Sequence, residues 1–506
     1  MSLLGLDVGT TGTKAVAFDL DGRVLASAYR EYPLRSPRPG WQELDADEVW
    51  RSVREVLGEV ASKTKADPIK AMAMSAQGEA VTAVDQSGAC LAPSPVTFDA
   101  RTADMPAWWL ERKSRLELAQ HTGMPLHGMY TINKILWFKE NQPEVYSKAA
   151  KFLCYEDYVQ YRLGVPPTMS HSLAGRTMAL DAKAGEWSSE ILAIADVDPA
   201  KLPATAPSGQ ALGEIPDAIA DDIGLPRGIV VATGGHDQPA GALGAGILEG
   251  GEAVYATGTV ECICPIFPDF TMDERMANNN ICCYPSCVPG LYASIAFNFT
   301  GGSLLKWYRD TFAAGEKREA EQSGRDVYDI ICAGVTPEAE NLLVLPHFTV
   351  TGTPHFDTAS RGALLGLTLQ TKKEDIVAAI LSGVTYEMKL NLEMLQNAGV
   401  GISRLRAIGG GAKSRTWIQR KADIMAIPVS VLQISEAASL GVAMLAGHAV
   451  GLLPDLKAAA SRIVTFEDVC TPDADRVQQF ADRYAIYRDV YGALGSINHR
   501  LAALEQ

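Results

Sequence analysis

Residues 3–7 form an apolar run, Gly9-Thr10-Thr11-Gly12-Thr13 is turn chemistry, and residues 14–18 are apolar again before Asp21-Gly22. Such runs bounded by turn residues predict consecutive antiparallel strands joined by tight turns. The same order returns at mid-chain, where residues 253–256 lead to Thr257-Gly258-Thr259 and residues 260–267 resume the apolar character. The two halves therefore read as distant structural repeats. Elsewhere the period becomes helical. Thr371 and Glu374 have capping-box spacing ahead of a long periodic stretch towards Gly399. Residues 436–450, rich in Ala, Leu and Met, meet stop signals at Gly451 and Pro454. Strands plus helices in each half predict α/β domains.

A chain of 506 residues is too long for one ordinary core. Two domains, 1–245 and 246–506, with a cleft between them are expected. Gly241, Gly244, Gly246, Gly250 and Gly251 crowd the junction, and they read equally as a hinge or as sites of close helix packing. At 47% hydrophobic and 21% charged, the composition supports sizeable cores and shows no sign of wholesale disorder.

Charge and cysteine content narrow the function classes. With 60 acidic against 45 basic side chains, the formal charge of −15 repels a nucleic-acid backbone. No apolar run reaches the ~20 residues of a membrane span, and the first ten residues lack the features of a secretory signal. A cytoplasmic protein with neither nucleic-acid nor membrane partner is expected. Nine cysteines, an odd count, favour reduced thiols. Cys262, Cys264, Cys282, Cys283 and Cys287 lack paired CxxC knuckles and read as packing residues in preference to a zinc site.

Three segments carry candidate chemistry. In Asp7-Val8-Gly9-Thr10-Thr11-Gly12-Thr13-Lys14, small residues let backbone N–H groups approach oxyanions. Asp7 at a strand end suits Mg²⁺, and Lys14 suits phosphate charge; the alternative is an ordinary hairpin turn. In Gly234-Gly235-His236-Asp237-Gln238-Pro239, Asp237 follows the apolar residues 229–232 and stands at an element end. There it reads as a general base for an attacking hydroxyl or as a helix cap. Gly409-Gly410-Gly411-Ala412-Lys413-Ser414 lies between residues 405–408 and 417–427 as strand, glycine turn and helix. Such a turn can lie flat against a nucleotide, or can serve packing alone.

Taken together these segments resemble the FGGY family of carbohydrate kinases over nearly the whole chain, from Gly5 to about Leu453. Residues 129–141 (Met-Tyr-Thr-Ile-Asn-Lys-Ile-Leu-Trp-Phe-Lys-Glu-Asn) are similar to the family's first signature. Residues 362–367 (Gly-Ala-Leu-Leu-Gly-Leu) and 382–387 (Ser-Gly-Val-Thr-Tyr-Glu) are similar to its second. The resemblance implies two ribonuclease-H-like domains of the actin and hexokinase superfamily. Sugar would bind mainly in the first and ATP in the second, with Mg²⁺. It implies phosphate contacts for Thr10, Thr11, Gly12, Lys14 and Thr259, and further nucleotide contacts for Gly302, Gly410, Gly411, Ala412 and Ser414. Asp237 is then the general base, with Gln238 beside it at the acceptor, while Arg415 reads as a surface arginine where some relatives carry an amide.

The acceptor segment Gln77-Gly78-Glu79 departs from the Met-His-Gly of xylulose kinases. It keeps the glutamate, but not the arginine, of the Arg-Glu found in glycerol kinases. Met129 stands where glycerol kinases carry a tyrosine. Gly78 is expected to leave room for a longer acceptor, and Glu79 to bind vicinal hydroxyls or to be a solvated strand-end residue. A ketopentose such as D-xylulose is the first expectation, ahead of other ketoses and of polyols such as glycerol or erythritol. A nucleotide-switched actin-like binding protein is the rival from another class. A homodimer is compatible with all of these.

Overall fold

The computed structural model describes residues 1–504 apart from 337, 339 and 340. Its first sheet is built on the meander β1 (Ser2–Val8), β2 (Gly12–Phe18) and β3 (Val24–Glu31). Helix α1 (Ala46–Lys63) leads to β4 (Ile69–Ala76), and the short β5 (Ala211–Glu214) precedes β6 (Val230–His236). The spatial order is β5-β6-β4-β1-β2-β3, with β4 parallel to both β1 and β6. β1 is buried along nearly its whole length, as a central strand covered on both faces must be. α1 is started by Asp45, which accepts from the N–H groups of Asp47 and Glu48, and it turns Val49, Val53, Val56 and Val60 to the core.

The second sheet repeats this plan. β7 (Gly251–Thr257) and β8 (Glu261–Phe267) form its antiparallel hairpin. β9 (Ile402–Ile408) runs parallel to β7, β10 (Val429–Leu432) runs parallel to β9, and β11 (Phe466–Cys470) is the antiparallel edge. The expected hairpins at both ends of the repeat are therefore the first two strands of each sheet. Around the second sheet lie α3 (Gly302–Phe312), α4 (Lys373–Asn397), α5 (Arg415–Met425) and the long α7 (Ala474–Ala502). Among the described residues no helix is long and apolar enough to cross a membrane.

The cap of α4 lies one residue beyond the expected one. Asp375 accepts from the Lys372 N–H at 2.8 Å, whereas the Thr371 hydroxyl accepts from the Thr368 N–H at 3.0 Å. Two carboxylates, Glu374 and Asp375, follow one another there, and the pattern alone does not say which of them turns back.

Between the sheets lie α2 (Asp237–Gly244) and α6 (Ala437–Ala449), which pack on each other. α6 comes from the second half of the chain yet rests on β1, β4 and β6 of the first sheet. The approach is backbone to backbone. A Cβ on Gly244 would stand 1.7 Å from the Ala437 carbonyl oxygen, one on Gly441 2.1 Å from that of Ala240, and one on Gly5 1.8 Å from that of Ser439. Gly244 is thus a close-packing glycine. Gly246 and Gly251 have φ of 79° and 98° and serve turns, whereas a Cβ on Gly241 or Gly250 would meet only ordinary contacts. The five clustered cysteines are buried free thiols.

Gly244→Ala should therefore lower stability by about 1–3 kcal/mol, because the added carbon has no room to relax. Gly492→Ala, at an exposed position of α7 with open space around it, should raise stability by about 0.5–1 kcal/mol. Thermal unfolding of the two variants measures both signs.

Candidate functional site

Asp7 ends β1 beside β4, where the Ser75 hydroxyl donates to its Oδ1 at 2.5 Å. Burial raises its pKa, and Glu436 adds to the rise. β6 reaches the same edge through an irregularity between Ala232 and Gly235. Only glycine fits at 234, where a Cβ would lie 1.8 Å from the Met74 carbonyl oxygen. This kink delivers His236 and then Asp237, the first residue of α2. The Asp237 side chain keeps 35% of its surface open, but its Oδ1 is buried without an aligned hydrogen-bond partner. Burial, then the charges of Asp7 and Glu79, push its pKa up to about 7. A carboxylate in that state can take a proton from a hydroxyl near neutral pH.

The acceptor segment is more constrained than expected. The Gln77 amide is engaged at both ends: Nε2 donates to the Gly9 carbonyl at 3.1 Å, and Oε1 accepts from the Thr10 hydroxyl at 2.9 Å. Gly78 does not open free space, since a Cβ there would stand 3.0 Å from His236 Nε2 and 3.5 Å from Arg176 Nε. Glu79 is neither solvated nor free. It is 2% exposed with φ 65°, and its carboxylate accepts from Arg176 Nε at 2.6 Å and from the Thr97 hydroxyl at 2.8 Å. Arg176 Nη2 makes a second contact with it. The Glu79 carbonyl accepts from Lys134 Nζ at 2.8 Å, and burial brings the Lys134 pKa down to about 8. Gln238, half-buried, adjoins Asp237.

In the first turn, the Gly9 N–H donates to the Gly12 carbonyl at 3.0 Å. A Cβ on Gly12 would stand 2.7 Å from the Arg30 carbonyl oxygen, so β3 demands glycine there. Thr11 is exposed. Lys14 Nζ lies 2.5 Å from Glu436 Oε1, which pairs it across the two halves.

The second group of expected residues surrounds a cavity of about 660 Å³, within the range of small-molecule sites. Thr259, Gly302, Gly410, Gly411 and Ser414 line it. Ala412 does not, being 8% exposed and packed among core residues. A Cβ on Gly302 would meet the Gly258 carbonyl oxygen at 2.7 Å, and one on Gly411 the Thr257 hydroxyl at 2.2 Å. Gly410 differs, because nothing lies within 4 Å of where its Cβ would be. Its bareness therefore serves no packing contact. Arg415 is 73% exposed, pairs with Asp468 and stands outside this lining.

Sequence reasoning missed Arg176, His236 and Tyr284 at the acceptor end, and Lys306, Asp326, Tyr328 and Trp417 around the cavity. Lys134 lay within a quoted signature without an assigned part. A buried Glu79 requires a buried cation, but nothing local marks residue 176 as its source.

Sequence models of the FGGY family of carbohydrate kinases match both halves, the N-terminal domain over residues 2–244 and the C-terminal domain over 254–450. A xylulose kinase of Bacillus subtilis is 27% identical over 506 residues, covering 100% of this chain and 99% of the relative. A gluconokinase of the same organism is 29% identical over 465 residues, covering 91% and 90%. The solved gluconate kinase of Lactobacillus acidophilus superposes with a TM-score of 0.89 at 24% identity, over 99% of each chain. The architecture is thus the two-domain actin and hexokinase-like fold expected from the sequence.

Two outcomes follow from the acceptor end. Glu79→Ala should cost about 3–5 kcal/mol of stability by leaving Arg176 buried without its counter-ion, and adding Arg176→Leu should restore part of it; chemical denaturation checks both. The pH profile tests the expectation that Asp237 is the base. A base must be ionised, and burial raises its pKa to about 7, so kcat/KM for the acceptor should fall as pH drops through that value, about tenfold per unit, and level off above it.

Proposed function

Because the chain belongs to the FGGY family of carbohydrate kinases and is a sugar kinase, we propose that it phosphorylates a ketopentose such as D-xylulose with ATP in the cytoplasm, with Asp237 as general base. The observation that carries the reading is Asp237 itself. It stands at the head of α2 with a buried, unaligned Oδ1 and a pKa near 7. In the transfer, the acceptor hydroxyl oxygen forms a bond to the γ-phosphorus as the bond to the bridging oxygen of ADP breaks. Asp237 takes the hydroxyl proton, and the products are a sugar phosphate and ADP.

The other residues position and shield. Thr10, Thr11 and Gly12 in one turn and Thr259 in the other offer backbone N–H and hydroxyl donors to phosphate oxygens, and Gly302, at the head of α3, borders the same cavity. Gly410, Gly411 and Ser414 line the nucleotide's space. Lys14 reaches phosphate by exchanging its partner Glu436. The hard carboxylate oxygens of Asp7 suit Mg²⁺, and among the described residues no cluster of three His, Cys, Asp or Glu side chains forms a closed metal cage. Asp7 would hold the ion together with phosphate oxygens; when bound, Mg²⁺ neutralises the phosphate charge. The division near residue 245 separates the sugar-binding half from the nucleotide-binding one.

An aldonate is the second reading. It is favoured by the gluconokinase relative at 29% identity.

A coupled ADP-release assay across ketoses, polyols and aldonates tests the substrate, and sugar-independent turnover would defeat the kinase reading. With the best acceptor, Asp237→Asn should lower kcat at least ~10²-fold while ATP affinity is retained. Near-normal turnover would remove Asp237 from the role.

A further inference from the structure

The base is held by more than its own helix. Behind Asp237, His236 is buried, with Nε2 3.2 Å from Asp237 Oδ1 and Nδ1 2.9 Å from the Tyr284 hydroxyl. Tyr284 comes from the second half of the chain, in a short strand that pairs with Tyr292–Ala293. Resting on the reading of Asp237 as base, we propose that Tyr284 and His236 are positioning residues: the Tyr284 O–H selects the His236 tautomer whose Nε2–H holds the Asp237 carboxylate in the orientation that receives the sugar proton.

The argument is one of donors and acceptors. Burial, followed by the nearby Arg176 charge, holds the His236 pKa well below its ordinary value, so the ring is neutral and carries one N–H. If that proton is on Nδ1, the Nε2 lone pair faces a carboxylate oxygen and repels it. If it is on Nε2, the contact is attractive, and Nδ1 needs a donor. The Tyr284 phenol is that donor. Burial raises its pKa well above 10, so its proton stays in place.

The phenol is also held where it stands. A Cβ on Gly175 would come within 2.9 Å of Tyr284 Cβ, so the chain passes over a glycine there. The Cys283 N–H donates to the Gly123 carbonyl at 2.7 Å, and Cys287 Sγ occupies the space beside Gly235, 2.2 Å from its would-be Cβ. Arg176, bonded to Glu79, lies 5.4 Å from the Tyr284 ring centre. Other charged or ionisable groups acting on this chain of contacts include Asp7, Glu79, Cys262, Cys264 and Cys287 on Asp237, and Cys264, Cys282 and Cys262 on Tyr284. The 3.2 Å contact is within hydrogen-bond distance but lacks ideal alignment.

Side-chain isosteres test the relay. Gln at 236 places an amide N–H where Nε2–H stands and has no tautomer to select; Asn at 236 reaches only the Nδ1 position. Steady-state kinetics with ATP and the best acceptor should show Tyr284→Phe and His236→Asn each lowering kcat about tenfold with both KM values unchanged, the loss of one hydrogen bond to a charged group. His236→Gln should stay within about threefold of the parent, and adding Tyr284→Phe to it should change nothing further. Tyr284→Phe with unaltered kcat would overturn the relay while leaving the base assignment intact, provided Asp237→Asn is inactive. A second tenfold loss in the His236→Gln background would also overturn it, because Tyr284 would then act independently of the imidazole. An active Asp237→Asn would remove both the base and the relay.

Discussion

Three carboxylates, Asp7, Glu79 and Asp237, converge at the strand ends of the first sheet, and the site depends on how their mutual repulsion in a poorly solvated place is managed. Each is treated differently. Glu79 is neutralised by Arg176, in a buried pair completed by the Thr97 hydroxyl. Such a pair repays its desolvation only when its remaining hydrogen-bonding capacity is met, which the surrounding donors achieve. Asp7 receives the Ser75 hydroxyl. Asp237 keeps one oxygen, Oδ1, without an aligned partner, and burial, with Asp7 and Glu79 nearby, pushes its pKa up to about 7. Leaving an oxygen of the third acid short of donors is what suits Asp237 to the proposed role of base.

The same constraint explains why Gly78 is not an open slot. Arg176, arriving from a distant turn, and the His236 ring stand beside the position a side chain at residue 78 would enter. A reading of residues 77–79 alone sees a lost side chain and infers room. The structure shows the room already occupied, so acceptor size is not decided at residue 78.

Much of the frame was legible because it is local. The two hairpins, the strand before Asp237, the helix Lys373–Asn397 that stops ahead of Gly399 and the glycine turn at 409–411 follow from period and turn chemistry within a few residues. What escaped is contact between residues far apart in sequence. Gly123, Gly175 and Gly235 look like ordinary turn or strand glycines, yet each accepts a piece of the segment 283–287 from the other half of the chain. The resemblance implies a nucleotide contact for Ala412, but the 3₁₀ turn at Gly410–Lys413 puts that methyl into the core. Family resemblance located the candidate base, but said nothing of what orients it.

These long-range contacts also decide which parts of the molecule move together. α2 and α6 touch through carbonyl-to-glycine contacts that leave no slack, and α6 lies on the first sheet. Both helices therefore belong mechanically to that sheet, although one is encoded beyond the second. The second sheet is joined to them through residues 245–250 and 433–436, and Gly246 and Gly251, with positive φ, border the first of these. A rotation of the second sheet would be absorbed there, and not within the helix pair. The segment 283–287 meets the first half at three glycines, but its strand Tyr284–Pro285 also pairs through Tyr292–Ala293 with β8 of the second sheet, so Tyr284 ties His236 to both sheets. A closing motion of the second sheet towards Asp237 would therefore act on the Tyr284–His236 contact as well as at residues 245–250 and 433–436.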